Sequence, residues 1–178
     1  MDVLASPEPA TLLGADDIAR CVDALAARIA PMVSDDCVAV ALLTGGIWFA
    51  ADLTRALARL GRHVKFDAVW LASYGDDHAS SGRVQVRAGL QRPVKDRQVL
   101  IVDDVFDSGL SLTEARRYMQ EAGARDILTA VFARKPWPKP RFPEPDFVAW
   151  EAPARYLVGY GLDDAGAWRG LPYIGALD

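Results

Sequence analysis

The sequence predicts an α/β fold with a mainly parallel central sheet flanked by helices. Three observations carry this reading. Apolar runs of strand length occur at 37–43, 97–105 and 127–133, and runs with helical spacing of apolar residues occur at 15–33, 47–61 and 113–123. Glycines stand where two of those helices should stop, Gly61 and Gly123. Nearly continuous apolar strands suit a sheet covered on both faces, and their alternation with helices is the mark of βαβ units. A chain of 178 residues, 51% hydrophobic and 25% charged, suits one domain with its own core.

In chain order, the first helix (15–33) places Ile18, Val22, Leu25 and Ile29 on one face, with Asp16 or Asp17 as its expected N-cap. CVAVALL (37–43) follows as a buried strand; TGG breaks the pattern, and IWFAADLTRALARLG (47–61) is a helix. HVKFDAVWLAS (63–73) and RVQVRAGL (83–90) read as strands around a polar segment, SYGDDHASSG, that is longer than a tight hairpin needs. They predict an antiparallel addition at one sheet edge. RQVLIVDDV (97–105) is the strongest strand, followed by a helix over 113–123 and a buried strand over 127–133. A proline-rich loop, KPWPKPRFPEP (135–145), precedes expected strands at 146–152 and 155–163.

The net charge of −4 and the absence of any Lys/Arg block argue against a nucleic-acid binder that works through phosphate contacts. Cys21 and Cys37 have no CxxC partner and read as core residues in a reducing compartment. The N-terminal MDVLASPEPATLLG lacks the basic-then-apolar pattern of a signal peptide, and no apolar run reaches the ~18 residues needed to span a bilayer. The expectation is a soluble, cytoplasmic protein.

The most informative string is VLIVDDVFDSGLSL (99–112). An apolar strand ends in Asp103 and Asp104, and Asp107, Ser108, Gly109, Leu110 and Ser111 lead into a helix. Free backbone N–H groups at a helix start, with serine hydroxyls beside them, cradle phosphate. Two carboxylates repel a bare phosphate but suit sugar hydroxyls or a hydrated Mg²⁺ ion. The ligand implied has a phosphate, hydroxyls and a metal-bound group. A response-regulator receiver also carries an acidic pair after such a strand, but near its N-terminus rather than a hundred residues in.

This string resembles the phosphoribosyl pyrophosphate signature of the type I phosphoribosyltransferases, and the rest of the chain, over 36–175, is similar to the hypoxanthine-guanine phosphoribosyltransferase branch. The resemblance implies the type I phosphoribosyltransferase fold, with a small hood and a flexible hairpin loop. Its division of the chain is an N-terminal helical segment at 1–35, a core at 36–134, and a base-binding hood with the C-terminal segment at 135–178. The implied activity is purine salvage. A 6-oxopurine base, hypoxanthine and/or guanine, reacts with phosphoribosyl pyrophosphate to give the nucleoside monophosphate and pyrophosphate, with Mg²⁺ as cofactor. Homodimers or homotetramers are usual in the family.

The resemblance also implies roles for individual residues. Asp103 and Asp104 contact the ribose and, with Asp163, the metal; Ser108, Gly109, Leu110 and Ser111 hold the 5′-phosphate. Gly45 and Gly46 approach the pyrophosphate, where Thr44 replaces a lysine common in the family, and Arg169 clamps it. Asp107 is the general acid/base, a role beside which an N-cap function for the following helix stays open. Ser73 and Tyr74 belong to the loop that closes over the reacting centre. Lys135 recognises the purine O6, with Arg134 as its neighbouring competitor; Tyr156 stacks on the base, and Leu157 offers backbone groups to its edge. Trp48, Trp70, Trp137, Trp150 and Trp168 read mostly as packing residues. Two alternatives remain: a regulator of the same fold that binds nucleic acid, and a transferase for xanthine or another base.

Overall fold

The computed structural model describes residues 8–73, 84–138 and 143–177. Its main sheet has six strands in the order β4-β3-β2-β5-β6-β7. These are β2 (Val38–Leu42), β3 (Lys65–Ser73), β4 (Val84–Ala88), β5 (Gln98–Phe106), β6 (Asp126–Arg134) and β7 (Phe147–Glu151). Pairing is parallel from β3 through β7, and only the β3–β4 edge is antiparallel.

The apolar runs became the central strands because both their faces are covered. Along β5, Leu100 and Val102 pack with Ile29, Phe49 and Leu53 in a cluster built on helices α1 (Ala15–Ile29) and α2 (Gly46–Arg59). The alternate residues Val99 and Ile101 pack with Leu112, Ala115 and Met119 of α3 (Leu110–Glu121). That period of two, with every one of these positions buried, explains a run with no polar interruption.

From β2 the chain passes through α2 to β3 on one side; from β5 it passes through α3 to β6 on the other. The direction of winding therefore reverses between β2 and β5. Beyond the carboxyl ends of strands at such a reversal an open α/β sheet leaves a crevice for a ligand.

Three local expectations are corrected. The N-cap of α1 is Gly14, whose side is extended (φ −75°, ψ 166°); Asp16 and Asp17 lie within the first turn, where they face the positive end of the helix dipole. Helix α3 starts at Leu110, three residues before the expected Thr113, with Gly109 in the left-handed region (φ 84°) as its N-cap. The run 155–163 is a strand only over β8 (Tyr156–Val158), since Gly159, Tyr160 and Gly161 all have positive φ and turn the chain.

A second sheet of three antiparallel strands forms the hood, in the order β1-β9-β8. It joins β1 (Ala10–Leu13), β9 (Ile174–Leu177) and β8, so segments from both ends of the described chain pair there, Ala10 opposite Ala176 and Tyr156 opposite Leu177. Neither β1 nor β9 was legible as a strand in the sequence. At four residues each, they are held by pairing across the chain, β1 with β9 and β9 with β8 as well. No helix among the described residues is long and apolar enough to cross a membrane.

Candidate active site

At the β2–β5 reversal lies a cavity of about 270 Å³. Gly45 lines it from the turn after β2, and Asp103, Asp104, Asp107, Ser108, Gly109 and Ser111 from the end of β5 and the start of α3; Asp163 and Arg169 reach it from the hood side. A neighbouring cavity of about 190 Å³ shares Asp104, Asp107 and Asp163 with the first and adds Lys135, Tyr156 and Leu157. Residues scattered over 125 positions of sequence thus face one continuous cleft with two compartments.

The turn after β2 is shaped by contact with β5. A Cβ built on Gly45 would stand 1.8 Å from Asp104 Oδ2, and one on Gly46 would stand 2.9 Å from the Val102 carbonyl oxygen. Only glycine lets the loop lie this close to the acidic strand end. Gly46 opens α2, so its N–H has no acceptor one turn earlier in the helix. Gly46 is buried against Val102 and Asp103 and does not line the cavity. The Leu43–Thr44 peptide bond is cis.

The acidic pair sits in a demanding environment. Burial, reinforced by the charge on Asp104, pushes the Asp103 carboxyl well above the usual carboxylate range. Burial also raises Asp104, against the hydrogen bond from the Val105 N–H (2.8 Å) and the attraction of Arg169. Two adjacent carboxyls, Asp103 buried and Asp104 partly so, cannot both be charged at low cost, and the pair favours a cation or hydroxyl donors in the space before it. Among the described residues, no group of three or more His, Cys, Asp or Glu stands close enough to hold a metal ion on its own.

Beyond the pair, Gly109 turns the chain so that the first N–H groups of α3 face the cavity. The Ser108 hydroxyl accepts the Leu110 N–H at 3.4 Å, and Thr113 closes the first helical hydrogen bond onto the Gly109 carbonyl at 3.0 Å. The Leu110 side chain is exposed and does not line the cavity. With Gly109 as the cap, Asp107 is not the N-cap of α3; its carboxylate faces both compartments.

On the second compartment's wall, Lys135 Nζ lies 3.6 Å from Asp107 Oδ2. Arg134 is turned away into ion pairs with Glu151 (2.5 Å) and Glu144 (3.4 Å), which leaves Lys135 as the cation of this wall among the described residues. Lys135 is placed by the β5–β6 ladder, because its N–H donates to the Phe106 carbonyl at 3.0 Å. The far end of the proline-rich loop is pinned at Asp146, whose Oδ2 accepts from the Thr129 N–H and hydroxyl (2.8 and 2.7 Å) and from Arg116 (2.9 Å). Trp137 does not line this compartment and is exposed.

Tyr156 is half exposed, with its hydroxyl 3.3 Å from Asp164 Oδ1. Asp163 is held by Arg169 at 2.6 Å and by the Gly166 N–H at 2.7 Å, and Arg169 also donates to the Gly161 carbonyl at 2.5 Å. The sequence reading did not single out Leu71, Val105 or Leu162, which complete the walls; as ordinary apolar residues in strand-like runs they carry no signal of their own. Ser73 ends β3, but its side chain, like the whole of Tyr74, lies outside the described residues.

An α/β sheet with a glycine turn, an acidic pair and a glycine-capped helix start around one two-part cleft is the architecture of a phosphoribosyl transferase domain. A family model for the phosphoribosyl transferase domain matches residues 15–152, and the chain belongs to that family. Hypoxanthine-guanine phosphoribosyltransferase of Bacillus subtilis (strain 168) is 33% identical over 167 residues, which is 93% of this chain and 91% of the relative. That of Aquifex aeolicus (strain VF5) is 36% identical over 165 residues, 92% of this chain and 91% of the relative. Among solved structures, a hypoxanthine phosphoribosyltransferase from Staphylococcus aureus superposes with a TM-score of 0.86 at 28% identity, covering 94% of this chain and 90% of that one. The Trypanosoma cruzi enzyme of the same name gives 0.89 at 27% identity over 97% and 94%.

Proposed function

We propose that this protein is a purine salvage phosphoribosyltransferase that joins a 6-oxopurine, hypoxanthine and/or guanine, to the phosphoribosyl group of phosphoribosyl pyrophosphate. The observation that carries the reading is the meeting of Asp107, Lys135 and Tyr156 in one compartment that opens onto the acidic pair and the α3 turn. In the reaction the bond from ribose C1′ to the pyrophosphate oxygen breaks, and a bond from C1′ to purine N9 forms. The ring proton leaves the base.

The amides and hydroxyls of Ser108–Ser111 bind the 5′-phosphate at the positive end of α3. Asp103 and Asp104 take the ribose hydroxyls and hold C1′ in line with the entering nitrogen. Gly45 and Gly46 present backbone N–H groups to the pyrophosphate, and Arg169 neutralises the charge that grows on it as it departs. Asp107 accepts or shares the proton at purine N7, which makes N9 the better nucleophile. Lys135 donates to the 6-oxo group and disfavours the donor amino group of adenine. Tyr156 stacks on the ring, Leu157 offers its backbone to the edge, and Ser73 and Tyr74 close over the centre.

The residues present fit Mg²⁺. The adjacent carboxyls of Asp103 and Asp104, with Asp163 elsewhere on the same cavity wall, would supply hard oxygen donors of the kind this ion accepts, and substrate oxygens and water would have to complete its shell. When bound, Mg²⁺ supplies charge neutralisation to the departing pyrophosphate.

We further propose a single phosphoribosyltransferase domain with a core at 36–134 and a hood at 135–178; the N-terminal segment at 1–35, expected to be helical, supplies α1 and also lends the strand β1 to the hood sheet. It works in the cytoplasm as a homodimer or homotetramer, a reading supported by the exposed Phe66 and Trp70 on one face of β3. Its partners are the activated sugar and a free base, with no nucleic acid and no membrane.

The test is pyrophosphate release from phosphoribosyl pyrophosphate and Mg²⁺ with hypoxanthine, guanine, xanthine, adenine and uracil supplied singly. Turnover with hypoxanthine or guanine is expected. Turnover with xanthine, adenine or uracil alone would reassign the substrate, and turnover with none would end the enzyme reading.

A further inference from the structure

Behind the cleft runs a segment to which the proposed chemistry gives no part. Gly159, Tyr160 and Gly161 have φ of 93°, 51° and 101°. A tyrosine in the left-handed region persists only where its surroundings hold it. Here the grip comes from both sides. The Tyr160 and Gly161 N–H groups donate to the carbonyls of Leu171 and Arg169, each at 3.0 Å. On the opposite side a Cβ on Gly161 would stand 2.2 Å from the Gly45 carbonyl oxygen, so the segment is in backbone contact with the turn after β2.

The Tyr160 side chain extends this contact into α2, the helix which that turn opens. It is buried, its ring meets Phe132 edge-on at 4.9 Å, and Phe132 meets Phe49 of α2 at 5.5 Å. At its tip the hydroxyl donates to Asp52 Oδ2 of α2 at 2.9 Å, while Asp52 Oδ1 receives Arg55 at 2.5 Å. Gly45 is therefore backed by Gly161, and the residue next to Gly161 is fastened to the same helix that Gly45 caps. The loop cannot shift away from Asp104 without moving this fastening.

We propose that Tyr160 is a positioning residue for the pyrophosphate loop: its hydroxyl, bonded to Asp52, clamps the 159–161 segment against α2 and so holds Gly45 and Gly46 in register. This rests on the phosphoribosyl-transfer reading of the cleft. Tyr160 touches no reacting atom, and its effect is confined to the end of the cleft that receives pyrophosphate. In the base compartment Lys135 is placed by its bond to the Phe106 carbonyl, and Tyr156 and Leu157 by β8; Leu162 and Asp163, which follow the clamped segment, complete the wall, and Tyr160 itself does not line it.

The experiment compares Tyr160→Phe, Asp52→Ala, Asp52→Asn and the Tyr160→Phe/Asp52→Ala double variant with the wild type. Phenylalanine keeps the ring packing and removes only the hydroxyl; asparagine keeps an oxygen that accepts from it. Tyr160→Phe is expected to raise KM for phosphoribosyl pyrophosphate about tenfold, with KM for the purine within about twofold and kcat near wild type, the pattern of a lost binding geometry. Asp52→Ala should match it, Asp52→Asn should stay near wild type, and the double variant should be no worse than either single one. An unchanged KM for the activated sugar in Tyr160→Phe, a parallel rise in purine KM, or singles that multiply in the double variant would each overturn the clamp. Calorimetric titration of Mg²⁺-pyrophosphate into the same variants reads the clamp without turnover. A wild type that binds this ion about tenfold more tightly than Tyr160→Phe, yet turns over no base, would retain the clamp and reject the transferase reading.

Discussion

The two compartments of the cleft are built from different materials. The sugar-phosphate compartment is made of backbone: the Gly45 turn, the left-handed Gly109 and the first amides of α3, closed by the acidic pair. The base compartment is made of side chains that already have partners, Lys135 on Asp107 and Tyr156 on Asp164, with the Asp163–Arg169 pair between the two compartments. On the proposed reading, the ligand part whose chemistry never varies would be met by groups the fold itself fixes. A part to be chosen among similar rings would be met by side chains that exchange one partner for another. Rigid amides would then have no reorganisation to undergo, whereas Lys135 and Tyr156 would first have to release their neighbours.

Substitutions on the two sides should separate accordingly. The largest effect belongs to Asp107, which serves both compartments. Asp107→Asn should lower kcat by roughly 10²-fold or more with little change in melting temperature, as measured by steady-state kinetics beside a thermal melt. Lys135→Met follows, since it removes a charged donor worth about 2 kcal/mol and keeps the stem. It should cost roughly 30-fold in kcat/KM for a 6-oxopurine while leaving the affinity for phosphoribosyl pyrophosphate unchanged.

The acidic pair gives an effect of the opposite sign on stability. A carboxyl whose folded pKa is raised binds its proton more tightly in the folded state. Its contribution is fully favourable below the unfolded value of ~3.9 and is lost as pH rises toward the higher folded value. At pH 7 the free protein is therefore destabilised by Asp103, through burial and the charge on Asp104. Asp103→Asn should raise stability at pH 7 by roughly 1 kcal/mol, flatten its decline between pH 4 and 7 in urea titrations, and impair turnover. The smallest effect is Tyr156→Phe, which keeps the stacking ring and loses only an exposed hydrogen bond. KM for the base should stay within about twofold, whereas Tyr156→Ala raises it further.

The same contrast explains what was legible in the sequence. The string 99–112 could be read because a buried strand ending in Asp103-Asp104 and passing into Asp107-Ser108-Gly109 has few other uses, and all of its residues from Asp103 to Ser111 cluster at one cleft save the outward side chain of Leu110. The helix after it began earlier than its apolar spacing implied, because a left-handed glycine capped it and its first turn is open to the cleft. The hood was less legible. Strands β1 and β9 are short and pair across nearly the whole chain, Thr11 opposite Gly175, so neither has local periodicity to betray it. In VGYGLD, the glycines on either side of Tyr160 broke a run that looked like a strand; their reason is contact with Tyr173 on one side and Gly45 on the other, which only the fold shows. The choice between Arg134 and Lys135 likewise depended on Glu144 and Glu151, which occupy Arg134.

The most direct test of the central claim places a negative charge in the phosphate cradle without harming the helix that forms it. Ser111 is exposed in the first turn of α3, where an acidic side chain suits the helix dipole and should preserve or raise the melting temperature. Calorimetric titration of phosphoribosyl pyrophosphate with Mg²⁺ should give saturable binding to the wild type and at least roughly 100-fold weaker binding to Ser111→Asp. Equal affinity in the two proteins, or no binding to the wild type, would contradict the account.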